Sequence, residues 1–586
     1  MTDPTAAHPS ADPARIAGRR RLFASAVALT IALMLLAMIA AVGPGGIDAL
    51  DVTMIVLLAA TLPWSAIGFW NAAIGFWLMR RLPDPTGYIC PPAARVTGFE
   101  PIVARTALVM CIRNEAPERV FGNLRRLMDA LAARGEAAWF PVHILSDTDD
   151  DGFARAEAAA TDELRARHAG AFAVHYRRRA VNTGFKAGNL RDFLKTSGHT
   201  AEFMITLDAD SLMSADRVLR LVRIMQAAPE LGILQNIITG LPSASAFARI
   251  FQFGMRLGMR SYTLGSAWWQ ADCGPYWGHN AIIRIAPFRD HCHLPTLPGK
   301  PPLGGEILSH DQVEAVFMRR AGFDVRVLPE EEGSFEENPT TLIEFVRRDL
   351  RWCQGNMQYL NLLRLPGILP VSRVQLVLAV LMFIGLPAWV ALVGLVIARL
   401  AISGADWLAA GPASFVWAMV ILMTYAPRWA TLIDVLLHAP ARRRFGGGLR
   451  VLASAVVETV FSLGLWSIMA LAHSRLMLAF AFGRSVGWDG QSRDAVGVPW
   501  HLAWHNLRVH TLIGLVALFG LAFAPPAAFW MGFAVTFGCL LAVPFAIVTA
   551  TPVLGRLMAR HRLAAIPEEI DTPPEVAALD LPALRR

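Results

Sequence analysis

Asp208 and Asp210, one residue apart, close the apolar run 204–207, which reads as a short buried strand. Two carboxylates at a strand's C-terminal end are poorly placed for a core. They are well placed to hold a divalent cation against a diphosphate, because hard cations take oxygen ligands. A D-x-D by itself also suits a solvated turn, so its neighbours decide. Three earlier apolar runs end in polar clusters as well. Residues 106–111 lead into Ile112-Arg113-Asn114-Glu115, and 141–145 into Ser146-Asp147-Thr148 and three further acidic positions. Residues 172–176 lead through Arg177-Arg178-Arg179 into NTGFKAGNL, 182–190. Open α/β sheets bind ligands at these strand ends, and four clusters in succession are hard to explain as solvated loops. Asp147 suits a nucleobase or ribose, and Lys186 a base carbonyl or a phosphate. Gly184 and Gly188 permit close backbone approach. A cation on Asp208 and Asp210 would neutralise the charge building on a leaving nucleoside diphosphate.

Downstream, 272–280 is dense in glycine, aromatics and amides; Gly278, His279 and Asn280 suit sugar hydroxyls, and a turn packed on an aromatic core is the alternative. Asp311 precedes an amphipathic run, 312–320, and reads either as a helix N-cap or as a general base. Local sequence does not separate the two. At 347–355, Arg348, Arg351 and Trp352 combine cations with an indole. They suit a departing diphosphate and a sugar ring, or a basic helix lying on anionic lipid.

These clusters occupy 100–365, where short apolar runs alternate with charged helical patterns in a β-α-β succession around a mostly parallel sheet. The remainder is of another kind. Of 586 residues, 54% are hydrophobic and only 17% charged, below the roughly 25% usual in soluble proteins. Arg15, Arg19, Arg20 and Arg21 precede an apolar run at 22–42, long enough to span roughly 30 Å of hydrocarbon; a cleaved signal peptide would have a shorter core. A second run, 54–79, ends in Arg80-Arg81, and the loop between carries no Lys or Arg. Both outer ends are therefore expected in the cytoplasm. Further spans are expected at 376–398, 414–437, 451–471, 512–524 and 529–548. Arg428 and Asp434 inside the second of these point to a bundle interior or a water-filled path. With 473–482 as a short additional crossing, eight crossings place the basic, aromatic tract 483–508 inside, and Arg556, Arg560 and Arg562 place the C-terminus there too. Residues 1–21 and 563–586 read as tails. The net charge of +8 is spread in small arginine clusters, which fits membrane topology and not nucleic-acid binding. Cys90, Cys111, Cys273, Cys292, Cys353 and Cys539 have no C-x-x-C spacing, so neither a zinc site nor a disulfide framework is expected.

The order of motifs resembles the family 2 processive glycosyltransferases, which include cellulose and hyaluronan synthases. Their D…D-x-D…E-D…Q-x-x-R-W pattern falls on Asp147, Asp208-Ala209-Asp210, His310-Asp311 and Arg348-Asp349-Leu350-Arg351-Trp352. Two positions depart: His310 replaces an acidic residue and Arg348 a glutamine. NTGFKAGNL, GHNAIIR (278–284), SHDQVEA (309–315), GSFEENPTTL (333–342) and RRDLRWCQGN (347–356) resemble instead the glucans biosynthesis glucosyltransferase H family, over about residues 20–560. That resemblance implies a polytopic α-helical protein of the bacterial inner membrane with a cytoplasmic, Rossmann-like GT-A catalytic domain. It implies UDP-glucose as donor, Mg2+ or Mn2+, and inverting transfer to a growing glucan with a β-1,2-linked backbone, with export of the product left open. It implies Asp311 as base with Arg351 and Trp352 beside it, and a donor site of Asn114, Glu115, Asp147, Lys186, Asn189, Asp208 and Arg348. The acceptor would meet Gly278, His279, Asn280 and Trp352. Trp488, Asp489 and Gln491 would form a gate over bound nucleotide; a plain interfacial loop is the alternative. Membrane lipid and, in some members, acyl carrier protein are partners. About 20 residues precede the first span, so the regulatory N-terminal extension of some members is not carried over. Competing readings are another β-glucan synthase of cellulose type, a membrane lipid glycosyltransferase, and a transporter with a degenerate nucleotide domain.

Overall fold

The computed structural model describes residues 13–485, 497–579 and 581. Two long helices, α1 (Pro13–Val42) and α2 (Ala49–Arg81), come first. Asp48 and Asp51 cap α2 reciprocally, satisfying amides that a helix start otherwise leaves open.

An α/β block follows. Its strands are β1 (Thr106–Ile112), β2 (Val142–Ser146), β3 (Val174–Arg178), β4 (Phe203–Leu207), β5 (Leu212–Met213), β6 (Leu231–Asn236), β7 (Thr239–Gly240), β8 (Ala281–Arg284), β9 (Asp324–Leu328) and β10 (Ser334–Glu336). Its main helices are α3 (Pro117–Ala133), α4 (Asp151–Arg167), α5 (Phe185–Thr196), α6 (Ala215–Ala227), α7 (Ala246–Gln270), α8 (Asp311–Arg320) and α9 (Leu342–Met357). Seven strands form one sheet in the order β3-β2-β1-β4-β8-β6-β9. β3, β2, β1 and β4 run parallel, with Met110 opposite Ile144 and Leu207. β8 is antiparallel to both neighbours. β4 is buried along its whole length, as expected of aliphatic strands covered by helices on both faces. Because the parallel strands share a direction, the ends of β1, β2 and β4 open on one edge. A small sheet, β5-β10-β7, stands beside that edge, with Phe335 opposite both Leu212 and Thr239.

The chain then returns to apolar helices: α10 (Pro370–Ser403), α11 (Ala410–Leu437), α12 (Gly448–Ala481), α13 (Trp500–Leu521), α14 (Pro526–Leu540), α15 (Ala542–Ala550) and α16 (Pro552–His561). Among the described residues six helices are long and apolar enough to cross a membrane, or seven if α14 and α15, bent by 63°, are one span. The expected crossing at 473–482 is absent as a separate element. With no glycine or proline between Leu471 and Ala481, α12 continues through it. The tract 483–508 is also not one loop, because α13 begins at Trp500 behind Pro499. Its expected gate residues, Trp488, Asp489 and Gln491, lie outside the described residues.

Among the contacts that join the block to the bundle and the segment after it, two bear on the expectations above. Helix α7 lies against α2 at backbone distance and against α11, where Ser261 Oγ donates to the Pro427 carbonyl at 2.8 Å. A Cβ on Gly75 would fall 1.8 Å from the Ser261 carbonyl oxygen, and one on Gly265 would fall 1.9 Å from that of Asn71. Small residues of this kind let helices meet without a side chain between them. The second contact corrects the expectation of a loose tail after residue 563. Arg249, fully buried, pairs with Glu569 at 2.8 Å, and Arg256 pairs with Glu568 at 3.0 Å. Val576 is buried against Leu212, Leu241 and Phe335, and Arg126 donates to the Ala578 carbonyl. The segment is a strap across the small sheet, held by arginines more than 300 residues away in sequence.

Candidate active site

One cavity of about 540 Å³ opens at the strand ends. Asn114, Glu115, Asp147, Lys186, Asp208, Asp210, Gly278, His279, Asp311, Arg348, Arg351 and Trp352 all line it. They come from the ends of β1, β2 and β4, the start of α5, the loop before β8, the first turn of α8, and α9.

The D-x-D sits in a tight turn. Ser211 N–H donates to the Asp208 carbonyl at 3.0 Å, and Asp208 N–H donates to Ser211 Oγ at 2.9 Å. Lys186 Nζ bonds Asp208 Oδ1 and donates to the Gly278 carbonyl at 2.9 Å. Burial would lower this ammonium, but Asp208, with Cys111 and Asp311 nearby, outweighs it and the lysine stays charged. Glu336 on β10 faces the same turn, with His279 Nε2 3.5 Å from its carboxylate. Burial and the two aspartates push Glu336 up, while His279 and Arg348 oppose the rise. Among the described residues no three His, Cys, Asp or Glu side chains form a metal cage. Mg2+ typically takes one or two carboxylates and completes its shell with phosphate and water. The all-oxygen pair Asp208 and Asp210, held open to the cavity by its turn, fits that mode.

Asp311 is in the first helical turn of α8, and His310 holds the N-cap position without a capping bond. The Asp311 carboxylate is therefore not used as a cap. A Cβ on Gly278 (φ +86°) would lie 3.5 Å from Asp311 Cβ and 3.8 Å from both Asp311 Oδ2 and Lys186 Nζ, so the bare glycine backbone forms part of the wall between them. The Gly278 loop is pinned from behind: Gln235 accepts from Trp277 N–H at 2.8 Å and donates to the His279 carbonyl at 3.1 Å. On α9, the Arg348 guanidinium lies 4.7 Å from the Trp352 ring centroid. Trp352 is 48% exposed, leaving indole surface for a ligand.

Two expected contacts are not on the cavity. Asn189 is fully buried and accepts from Arg177 at 2.5 Å, tying α5 to β3. Asn280 is fully buried and donates to Ser334 Oγ and the Phe335 carbonyl, tying β8's approach to β10. Each amide finds a partner inside the protein for one of its two polar atoms, Asn189 through Oδ1 and Asn280 through Nδ2, while Asn189 Nδ2 and Asn280 Oδ1 have none among the described residues. Asp147, though on the wall, is held by Arg179 through two bonds of 2.7 and 2.9 Å. Arg179 and Glu336 are the functional candidates that sequence reasoning passed over. One lies within the Arg177–Arg179 cluster and the other within GSFEENPTTL, where neither stands out from its charged neighbours.

Residues 108–292 match the model of glycosyl transferase family 2, and 203–437 that of glycosyl transferase family group 2. The glucans biosynthesis glucosyltransferase H of Pseudomonas paraeruginosa (strain DSM 24068 / PA7) is 36% identical over 545 residues, 90% of this chain and 63% of that protein. The chain thus spans under two thirds of the length of the Pseudomonas relatives. The protein of the same name from Xanthomonas euvesicatoria pv. vesicatoria (strain 85-10) is 33% identical over 589 residues, 97% of this chain and 90% of that one. The mannosyltransferase PcManGT from Pyrobaculum calidifontis, solved with GDP-Man and Mn2+, aligns with 70% of this chain and 98% of its own at 17% identity. Its TM-score is 0.42, too low to bear on the chemistry. The sheet, the cavity at its strand ends and the near full-length match to the Xanthomonas protein agree: the chain belongs to the glucans biosynthesis glucosyltransferase H family.

Proposed function

We propose that this membrane protein transfers glucose from UDP-glucose, with inversion, to a growing glucan, building the β-1,2-linked backbone of osmoregulated periplasmic glucans. Its catalytic block and both termini face the cytoplasm, and it resides in the inner membrane. The observation that carries this reading is the convergence of Asp208, Asp210, Lys186, Asp311 and Arg351 on one cavity. It brings together metal-holding oxygens, cations for a diphosphate and a carboxylate suited to a base. Asp311 takes the proton of an acceptor hydroxyl, that oxygen bonds to the anomeric carbon, and the bond to the diphosphate breaks on the opposite face. Lys186 and Arg351 offset the charge left on UDP. Mg2+ or Mn2+ held by Asp208 and Asp210 supplies further neutralisation of the diphosphate. Trp352 offers its ring to the acceptor sugar. A single base acting on the incoming oxygen gives inversion.

Passage of the product across the membrane belongs to the same reading. It is supported by a second cavity, about 180 Å³, between α9, α10, α11 and α12, lined by Trp389, Trp417, Tyr425 and Trp466 with Asp349 at its α9 side. Asp349 directly follows Arg348, so this space lies close to the active-site helix.

The purified protein given radiolabelled UDP-glucose and Mg2+ should make a β-1,2-linked glucan. A β-1,4 product would instead indicate a cellulose-type synthase, and a lipid-soluble product a lipid glycosyltransferase. Asp311→Asn should bind UDP-glucose and lose transfer by at least ~100-fold, in the range typical of general-base removal. Near-wild-type turnover of that variant would remove Asp311 from the base role.

A further inference from the structure

The position before Asp311 is histidine, and the structure places a carboxylate one helical turn beyond it. His310 Nδ1 lies 2.9 Å from Glu314 Oε2, with His310 9% and Glu314 3% exposed. A carboxylate only accepts, so the ring nitrogen facing it carries the hydrogen. His310 also lines the cavity alongside Asp311. We infer that His310 and Glu314 act as one positioning unit: Glu314 holds the imidazole by Nδ1 so that Nε2 presents a hydrogen-bond donor, and a positive charge, beside the base. This inference rests on Asp311 as base and concerns its neighbours alone.

Charge supports the arrangement. Burial works against a protonated His310, but Glu314 more than reverses it, and the imidazole is held above its ordinary value. Burial raises Glu314 as well. His310 opposes that rise, so the two groups hold a proton between them. The groups facing the pair are Asp311 on its own helix, Lys186 at the start of α5, Tyr276 before β8, Cys292 and Tyr359. Burial pushes both phenols and the thiol well up, so they stay neutral. Lys186 opposes protonation of the histidine, and Asp311 favours it. Glu314 also borders a separate cavity of about 370 Å³ behind α8, with Arg191, Lys195 and Glu306 on its walls.

An imidazolium beside Asp311 supplies a donor and a positive charge at the place where the acceptor hydroxyl meets the base. Its loss on the alkaline side should therefore set the upper limb of the pH–rate profile. The test is UDP release from UDP-glucose by the full-length protein between pH 5.5 and about 9.5, a window that brackets the ordinary histidine range. Glu314→Gln should leave the KM for UDP-glucose within about twofold and move the midpoint of the alkaline limb down by about one unit, a tenfold loss at high pH. His310→Gln keeps a neutral donor at every pH and should flatten that limb at a lower overall rate. A role in packing alone would lower turnover equally at all pH values. An alkaline limb that stays in place in Glu314→Gln, or moves up, overturns the inference. If Glu314→Gln fails to bind UDP-glucose, His310→Gln decides: a limb as steep as wild type overturns the inference, and a flat one supports it. Asp311→Asn separates the two levels. If it is inactive while the limb of Glu314→Gln is unmoved, the base assignment stands and the dyad falls.

Discussion

Arg179 shows how much of the cavity wall beside Asp147 and Lys186 depends on one guanidinium. Besides Asp147 it bonds Asp192 at 3.1 Å, Asn182 Oδ1 at 3.1 Å, and the carbonyls of Thr183 at 3.1 Å and Phe185 at 3.0 Å. It therefore fixes both the Asp147 carboxylate and the loop that delivers Lys186. Arg179→Ala should raise the KM for UDP-glucose about 10–100-fold, from loss of charge-assisted bonds worth roughly 1.5–3 kcal/mol, with a smaller change in kcat. Steady-state kinetics of UDP release would measure both. Arg179→Lys should recover little, because a single ammonium cannot span two carboxylates and two carbonyls. Residue types alone grouped the acidic set, Lys186 and the α9 cations, because carboxylates and ammoniums at strand ends have few structural uses, and all of them line one cavity. They misled for Asn189 and Asn280: an amide beside a glycine reads as a ligand contact whether it faces a sugar or a neighbouring backbone.

At the level of elements, the docking of α7 on α2 is among the contacts least tolerant of added volume. Gly265→Ala would set a methyl against the Asn71 carbonyl and force the two helices apart. A cost of ~1–3 kcal/mol is expected from overpacking, read as a lower thermal midpoint in detergent and, since α7 leads directly toward the Gly278 loop, reduced turnover. Gly258→Ala, on the same helix with only Arg428 Cγ at 3.9 Å from its added methyl, should be close to neutral and serves as the control. β1, β2 and β4 were readable as largely apolar runs ending in polar clusters, because burial on both faces favours that composition; β3, Val-His-Tyr-Arg-Arg at the sheet edge, is only partly buried. The extent of α12 was not. Its last ten residues continue the apolar pattern, and length alone does not tell an extended helix from a second crossing. α7 was missed for the opposite reason. It carries arginines and small residues on a helix that belongs by sequence to the α/β block, yet it buries its small-residue face on the bundle.

At the level of the molecule, the strap after residue 563 joins what the linear sequence keeps apart. Its acids read as a loose tail because their partners, Arg249 and Arg256, are distant in the chain and a buried pair leaves no local signature. Removing one partner of such a pair typically costs ~3–5 kcal/mol, since the other charge is left uncompensated. Deleting residues 563–586 should therefore lower the thermal midpoint sharply, and adding Arg249→Met to the deletion should recover part of the loss; differential scanning fluorimetry on the detergent-solubilised protein would show it. The strap also imposes an order on biogenesis. The stretch that packs on Phe335 of β10, next to Glu336 and near the Asp208–Asp210 turn, is translated after all the residues of helices α1–α16. A polypeptide stalled partway through insertion would carry a cavity with an unbraced wall, so the cavity and the helical bundle reach their final form together.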